Sequence, residues 1–324
     1  MNSFEYAAPK NLKDATALLG EKWGEVEILA GGTDLISSLK QHIVQPKRVV
    51  SLKNVSELRG IKSSKGAIRI GAMTRLGELV RNNDVQKQFP ALVTAVNNIA
   101  SPQMLSMGTV GGELCQRPRC WYFRNGYGLL GTQGDTSLVR TGDNRYHAIF
   151  GTDGPALFVS ASSLGPVLVA LGATLTAQGP SGKARQIEAA QFFRAPKSEQ
   201  EREIALEPNE ILTEISIPTT GLRNATYEIR HRHGLDWPYV TATVAFNDQN
   251  GAASDPRVVL GHVAPTPWIA RAAGQALNGS RIDENAAAKC GEAAVQGAKP
   301  LSNNAYKVQL VKAAVKRAVL ATRA

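Results

Sequence analysis

Ile28-Leu29-Ala30-Gly31-Gly32-Thr33-Asp34-Leu35 is an apolar run that breaks into a Gly-Gly-Thr-Asp turn, and its reading decides the fold. Val26 to Ala30 has the composition of a short buried strand. Gly31 and Gly32 can take positive φ and let another group come close to the backbone. Thr33 and Asp34 then offer hydroxyl, carboxylate and N–H groups where the next element begins. A strand entering such a turn is either a tight connection or a cradle in which backbone N–H groups hold a phosphate. A second turn repeats the chemistry at Ser106-Met107-Gly108-Thr109-Val110-Gly111-Gly112-Glu113-Leu114. Two such loops can converge on one extended diphosphate ligand. Neither has the spacing of the usual dinucleotide fingerprint or of the P-loop, so those two readings fail on the residues.

Composition narrows the class. The chain has 324 residues, 43% of them hydrophobic, enough for a full core and two domains or subdomains. The start, Met1 to Pro9, lacks a basic segment followed by an apolar one, and no apolar run approaches membrane-spanning length. Cytoplasm is therefore the default expectation for location, with no membrane partner. Three cysteines in a chain this long argue against a disulfide framework. The net charge of +10 is spread along the sequence and aromatics are only 6%. That distribution favours an anionic cofactor or an acidic protein partner over nucleic acid.

Along the chain, Asn11 caps a predicted helix to Leu19, which Gly20 stops. Arg48 to Leu52 reads as a second strand, closing a βαβ-like unit near Lys53. Gly60–Ser63 and Ala67–Gly71 flank a polar turn as a hairpin. Thr74 is expected to cap a helix from Arg75 to Arg81, and Pro90 to Ile99 gives another. From Ser101 to Gly154 the sequence is rich in Gly and Arg and shows little periodicity, a length of irregular chain that is more often functional than idle. Val167 to Leu175 reads as a strand pair broken at Gly172, and Pro208 to Pro218 ends in strand-like alternation. Gly221 marks a boundary, followed by strands at Thr241–Phe246 and Pro256–Val263. Two or three helices close the chain, the last from about Asn304 to Thr322 with Val308, Val311, Ala314, Val315 and Ala318 on one face.

Four motifs in order carry a family resemblance: Ala30–Leu35, Gly108–Gly112, Pro208–Pro218, and the pair Gly261–Pro267 with Pro300–Lys307. Together they resemble the FAD-binding (medium) subunit of the molybdenum hydroxylases, the group of xanthine dehydrogenase, carbon monoxide dehydrogenase and bacterial aldehyde oxidoreductases. The resemblance covers essentially the whole chain. It implies an α+β fold: a two-subdomain PCMH-type FAD-binding domain over 1–220, then a small sheet-plus-helices domain over 221–324 like the C-terminal domain of the carbon monoxide dehydrogenase flavoprotein. The subdomains would run about 1–53 and 54–220, with an insertion at about 113–154. The resemblance assigns the FAD pyrophosphate to Leu29, Ala30, Gly31, Gly32, Thr33, Asp34 and Leu35. Ser106, Gly108, Thr109, Gly111 and Gly112 would support its second side. Ser101 stands where the family has a small residue against the cofactor. Leu212 matches a residue whose backbone lies near the isoalloxazine ring, unless it is a plain core strand residue.

Gln116–Arg124 and Asp143–Gly151 resemble the branch of periplasmic aldehyde oxidoreductases, where many members hold an extra [4Fe–4S] cluster in this insertion. Such a cluster needs four thiolates. Cys120 stands at a ligand position and Cys115 lies five residues before it, but Ala156 replaces another expected ligand and Cys290 lies far away. The insertion is expected to be kept and the cluster lost, with Cys115 and Cys120 as remnants. Other departures concern the flavin. Glu113 stands where the family has Asn, Ser162-Ser163 replaces a Ser-Asp pair, and Glu228 replaces a lysine that approaches the ring. A glutamate there would oppose a reduced, anionic flavin, and Arg230 or Arg232 could substitute. His231 and His233 lack a third ligand at useful spacing, so no metal site is expected. His147 reads as a hydrogen-bonded loop residue, and no nucleophilic catalytic arrangement is present.

The resemblance implies an electron-transfer subunit with no catalytic residue of its own. Its partners would be a large molybdenum-cofactor subunit that oxidises an aldehyde or aromatic heterocycle and a small subunit with two [2Fe–2S] clusters. FAD would pass the electrons to an external acceptor. Arg117 to Arg124 is expected either to face the iron–sulfur partner or to be a surface loop. Two other classes compete: a scaffold or assembly subunit with impaired flavin chemistry, and a self-sufficient FAD oxidase. Export with a partner could place the complex in the periplasm.

Overall fold

The computed structural model describes residues 1–99, 101–232 and 236–323. Strands β1 (Glu5–Ala7), β2 (Val26–Leu29) and β3 (Arg48–Ser51) form a parallel sheet in the order β1-β3-β2. The helix Leu12–Ala17 connects β1 to β2, and its cap is the expected one: the Asn11 side chain accepts from the Asp14 N–H at 2.8 Å. The helix Leu35–Lys40 crosses from β2 to β3, so the βαβ unit forms as its sequence predicts. Strand β1 was absent from that reading, because Glu5-Tyr6-Ala7 is too short and too exposed to show alternation.

Next along the chain come β4 (Ile61–Ser64), β5 (Ala67–Gly71), a small hairpin of β6 (Thr132–Gln133) and β7 (Thr136–Ser137), then β8 (Thr174–Gln178), β9 (Ala184–Glu188) and β10 (Ile211–Pro218). Five of these build an antiparallel sheet in the order β4-β5-β10-β8-β9. Ile68 and Ile70 on β5, Leu175 on β8 and Ile215 and Ile217 on β10 alternate inward against the helices Pro90–Asn97 and Leu164–Ala170. Each such buried aliphatic side chain is worth roughly 1.5–3 kcal/mol relative to exposure.

Leu164–Ala170 corrects one expectation. The apolar stretch around Val167 is a helix that leads into β8, and every one of its residues is buried. A helix apolar all round carries no periodicity by which to tell it from a strand. Thr74 also departs from its expected role. Its hydroxyl exchanges hydrogen bonds with the N–H and carbonyl of Gly60 (3.0 and 3.1 Å), and the helix begins only at Leu76. The stretch from Ser101 to Gly154 holds short helices at Pro102–Met107, Val110–Leu114, Trp121–Arg124 and Leu138–Thr141, each too brief to show a period.

The last part is an antiparallel sheet of β11 (Arg223–Ile229), β12 (Val240–Gln249), β13 (Ala252–Gly261) and β14 (Trp268–Ile269), in sequence order. The helices Arg271–Leu277, Glu284–Ala293 and Tyr306–Ala321 cover it. Val311, Val315, Ala318 and Val319 of the final helix share a core with Val240, Ala242 and Val244 of β12.

Candidate functional site

The Gly31-Gly32 turn borders a groove also lined by Trp23, Thr109, Gly112, Arg202 and Leu212. Gly31 is required by the other loop rather than by the open space. A Cβ on Gly31 would lie 2.1 Å from the Met107 carbonyl oxygen, so the two glycine turns pack backbone on backbone. Gly32 takes φ +78°, which turns the chain from β2 into the following helix. Among the described residues, the N–H groups of Gly31, Gly32, Thr33 and Asp34 have no acceptor in the chain. The second turn differs. Val110, Gly111 and Glu113 donate to Thr74, Ala72 and Thr109 carbonyls at 2.8–2.9 Å, and Gly112 donates to Thr109 Oγ1 at 3.1 Å. The first turn therefore offers donors, and the second holds it in place.

Of Ser101, Ser106 and Leu212, Leu212 lines the groove, while the two serines make local contacts. Ser101 Oγ accepts from the Met104 N–H at 3.1 Å, capping Pro102–Met107, and the Ser106 hydroxyl donates to the Gln103 carbonyl. Leu212 is a buried residue of β10 beside a bulge at Leu212/Glu214, and it borders the groove.

Asp34 is locked from three sides. It accepts from the Arg117 N–H at 2.8 Å, from Arg119 Nη1 at 2.7 Å and from Arg124 Nη2 at 2.9 Å. Burial would raise its pKa, but the Arg119 and Arg124 guanidiniums and the Arg117 N–H outweigh it and hold the carboxyl below its ordinary 3.8. The segment Arg117–Arg124 is consequently not an arginine-rich outer face. Arg117 pairs with Glu203 at 2.5 Å, and the side chains of Arg117, Arg119 and Arg124 are all turned inward.

Glu113 and the Ser162-Ser163 pair explain each other. The Glu113 carboxylate accepts from the Ser162 hydroxyl and the Ser163 N–H, each at 2.6 Å, and from the Leu164 N–H at 3.3 Å. The Glu113 carboxylate therefore lies beside position 163, where the resemblance places an acid. Burial pushes the Glu113 carboxyl up to about 7, against the opposing pull of these donors and of Arg119. Glu228, on β11, forms a buried ion pair with Arg230, which also donates to the Asn98 carbonyl at 2.6 Å. Burial raises the Glu228 pKa and Arg230 lowers it in part. Arg232 is 76% exposed and pairs with Asp236, so of the two arginines it is Arg230 that turns inward.

Cys115 is half-buried, and desolvation pushes its thiol up to about 12. The Cys120 thiol contacts His147 Nε2 at 3.1 Å. Among the described residues, no group of three or more His, Cys, Asp or Glu side chains is arranged to hold a metal. His233 lies outside the described residues. The sequence reading missed a second cavity of about 290 Å³, bordered by Arg119, Cys120, His147, Trp237, Tyr239 and His262. It also missed Lys307, a fully buried ammonium that donates to the carbonyls of Tyr146, His147 and His262 at 2.9–3.1 Å. The motifs Gly261–Pro267 and Pro300–Lys307 held both signals, but a lone lysine in a helix gives no warning of burial.

A glycine turn with free N–H donors, braced by a second turn, is the arrangement of an anion-binding loop. Residues 2–220 match the FAD binding domain in molybdopterin dehydrogenase, and residues 225–322 match the CO dehydrogenase flavoprotein C-terminal domain. The chain belongs to this family of FAD-binding subunits of molybdenum hydroxylases, and its cofactor is FAD. It is 29% identical to the carbon monoxide dehydrogenase medium chain of Hydrogenophaga pseudoflava, over 98% of this chain and 96% of that one. It is 27% identical to the aldehyde oxidoreductase FAD-binding subunit PaoB of Escherichia coli K12, over 96% of each. Among solved structures, carbon monoxide dehydrogenase from Hydrogenophaga pseudoflava superposes with a TM-score of 0.77 at 28% identity, covering 99% of this chain and 98% of that one. Quinoline 2-oxidoreductase from Pseudomonas putida 86 gives the same score at 26% identity, covering 99% and 97%. No described helix is long and apolar enough to cross a membrane.

Proposed function

We propose that the groove beside Gly31-Gly32 holds the pyrophosphate of FAD, and that this subunit relays electrons between two partners and an external acceptor. The unpaired N–H groups of Gly31, Gly32, Thr33 and Asp34 carry this reading, because free amides converging on open space are the donor set a diphosphate needs. Leu29, Ala30 and Leu35 shape the turn that presents them. Thr109, Gly111 and Gly112 brace it, while the Asp34 carboxylate fixes the turn through Arg119 and Arg124 and leaves the Asp34 N–H to the anion. Bound FAD supplies two-electron storage, and the chain supplies position and electrostatics. Glu113, Ser163 and Glu228 would set those electrostatics near the ring. Paired with Arg230, Glu228 presents far less negative charge than its sequence position suggests.

The partners on this reading are a large molybdenum-cofactor subunit and a small subunit with two [2Fe–2S] clusters, acting on an aldehyde or aromatic heterocycle in the cytoplasm. The division at about residue 220 separates the flavin-binding part from the closing sheet. Expression alone and with the two neighbouring subunits tests both halves. The isolated chain should take up one FAD and show a flavin band, and the three chains should co-purify. Absence of a flavin band after FAD reconstitution overturns the reading.

A further inference from the structure

The chain leading into β10 makes a loop that reaches the groove and is fastened well away from it. Backbone closes its neck: Phe193 and Ile204 form an antiparallel bridge, and the Arg194 N–H donates to the Glu203 carbonyl at 3.0 Å. Residues 195–202 are the excursion beyond that neck. On it the exposed Glu199 carboxylate accepts from the Leu129 N–H at 2.6 Å and from the Leu130 N–H at 2.8 Å. Gly128 makes room for this contact. Its φ is +74°, and a Cβ there would lie 2.7–2.8 Å from the carboxylate. Successive N–H groups turned on one anion form a nest, filled here by a side chain from 70 residues further along. Among the described residues, neither N–H has another acceptor.

Three residues on, the same excursion reaches the groove. Arg202 borders it from the segment before β10, and Trp23 borders it from the segment before β2. The Arg202 guanidinium lies over the Trp23 ring at 4.5 Å, so the contact bridges the first sheet's side of the groove and the second's. The Arg202 side chain is only 9% exposed. Its charge faces Glu203 at 3.4 Å, yet Glu203 already holds Arg117 at 2.5 Å, so one carboxylate serves two guanidiniums. Arg202 is thus held mainly by the face of Trp23, a contact that parts without disturbing the Arg117–Glu203 pair. Ile204 and Leu206, which also border the groove, lie on the fixed side of the neck.

We propose that residues 195–202 are a hinged strap whose Arg202–Trp23 contact closes the groove, and that Glu199 in the Gly128–Leu130 nest latches it shut. This rests on the FAD reading and adds a gate to it. The neck at Phe193 and Ile204 is the hinge. Release of Glu199 frees the strap to carry Arg202 off Trp23, while the glycine turns that hold the pyrophosphate stay in place. The latch therefore sets the rates of FAD entry and exit together and leaves affinity alone.

Stopped-flow flavin fluorescence on the full chain reads both rates, by mixing apoprotein with FAD and by diluting the loaded chain. Glu199→Ala should raise entry and exit each about tenfold while keeping Kd within about threefold. Arg202→Lys keeps a charge beside Glu203 but loses the flat stack on Trp23, and it should also raise both rates. Gln200→Ala, at an exposed position, is the control and should change neither. Trypsin gives a readout that needs no flavin. Cleavage after the exposed Lys197, normalised to the unfolded chain, should quicken about tenfold in Glu199→Ala. Faster exit alone, with affinity falling in step, would make Glu199 a prop of the site and overturn the gate. Unchanged rates or unchanged cleavage overturn it as well. Faster cleavage in a chain that takes up no FAD supports the latch and overturns only the flavin reading.

Discussion

Arg119 Nη1 lies 2.7 Å from Asp34 Oδ1, while the same guanidinium covers the ring of Trp237 at 4.6 Å. One side chain thereby joins the glycine turn of the first sheet to the edge of the second cavity. Asp34→Asn keeps the shape but leaves Arg119 and Arg124 without a counter-charge. The expected loss is about 3 kcal/mol, the low end for breaking a buried pair, because the Asp34 side chain keeps 16% exposure. Since the folded pKa of Asp34 lies below 3.8, its contribution is present above that value and fades as pH falls through the lowered one. Urea unfolding of the two proteins across the acid range measures it.

Gly31→Ala places a methyl 2.1 Å from the Met107 carbonyl, and neither backbone can yield cheaply. The expected outcome is loss of FAD uptake with a fall in melting temperature of several degrees, about 2 kcal/mol of strain. Gly154→Ala, which meets nothing within 4 Å, is the matched control and should leave both unchanged. Flavin absorbance after reconstitution and a thermal scan read the result.

Glu113 binds its proton more tightly folded than unfolded, at about 7 against 4.5. Its contribution to stability is therefore complete below pH 4.5 and is lost as pH rises to about 7. Glu113→Gln removes that dependence. Denaturant unfolding at about pH 5 and about pH 8 should show the gap between variant and parent moving in the variant's favour by up to ~3 kcal/mol. Parallel pH profiles would contradict the assignment.

Cys115 and Cys290 are pushed up to about 12, and burial also raises Cys120. None of the three thiols should alkylate rapidly with iodoacetamide near pH 8 in the folded protein, whereas all three should in denaturant. Mass spectrometry counts the labels, and fast modification of Cys120 would refute the picture of a thiol held by neutral His147.

How much was legible depended on whether the signal was local. Asn11, the βαβ unit and the face of the last helix follow from caps and periods within a few residues. Leu164–Ala170 was misread because total burial erases amphipathicity. Glu113 reads in sequence as a departure from the flavin site, and its partners Ser162 and Ser163 lie 49 and 50 residues away. The inward turn of Arg117, Arg119 and Arg124 was equally hidden, since Asp34 and Glu203 lie far from them along the chain. Compensation between distant positions leaves no trace in either one alone.

Lys307 and its neighbour Asn304, whose side-chain amide donates to the carbonyls of His147 and Ala148 at 3.2 and 3.0 Å, fasten the Tyr146–Ala148 segment to the final helix. The consequence is modularity lost. A hybrid that joined the first 220 residues of this chain to the closing region of a cousin would separate a lock from its key. The Tyr146–Ala148 segment and the far end of the same polypeptide thus form one unit of exchange.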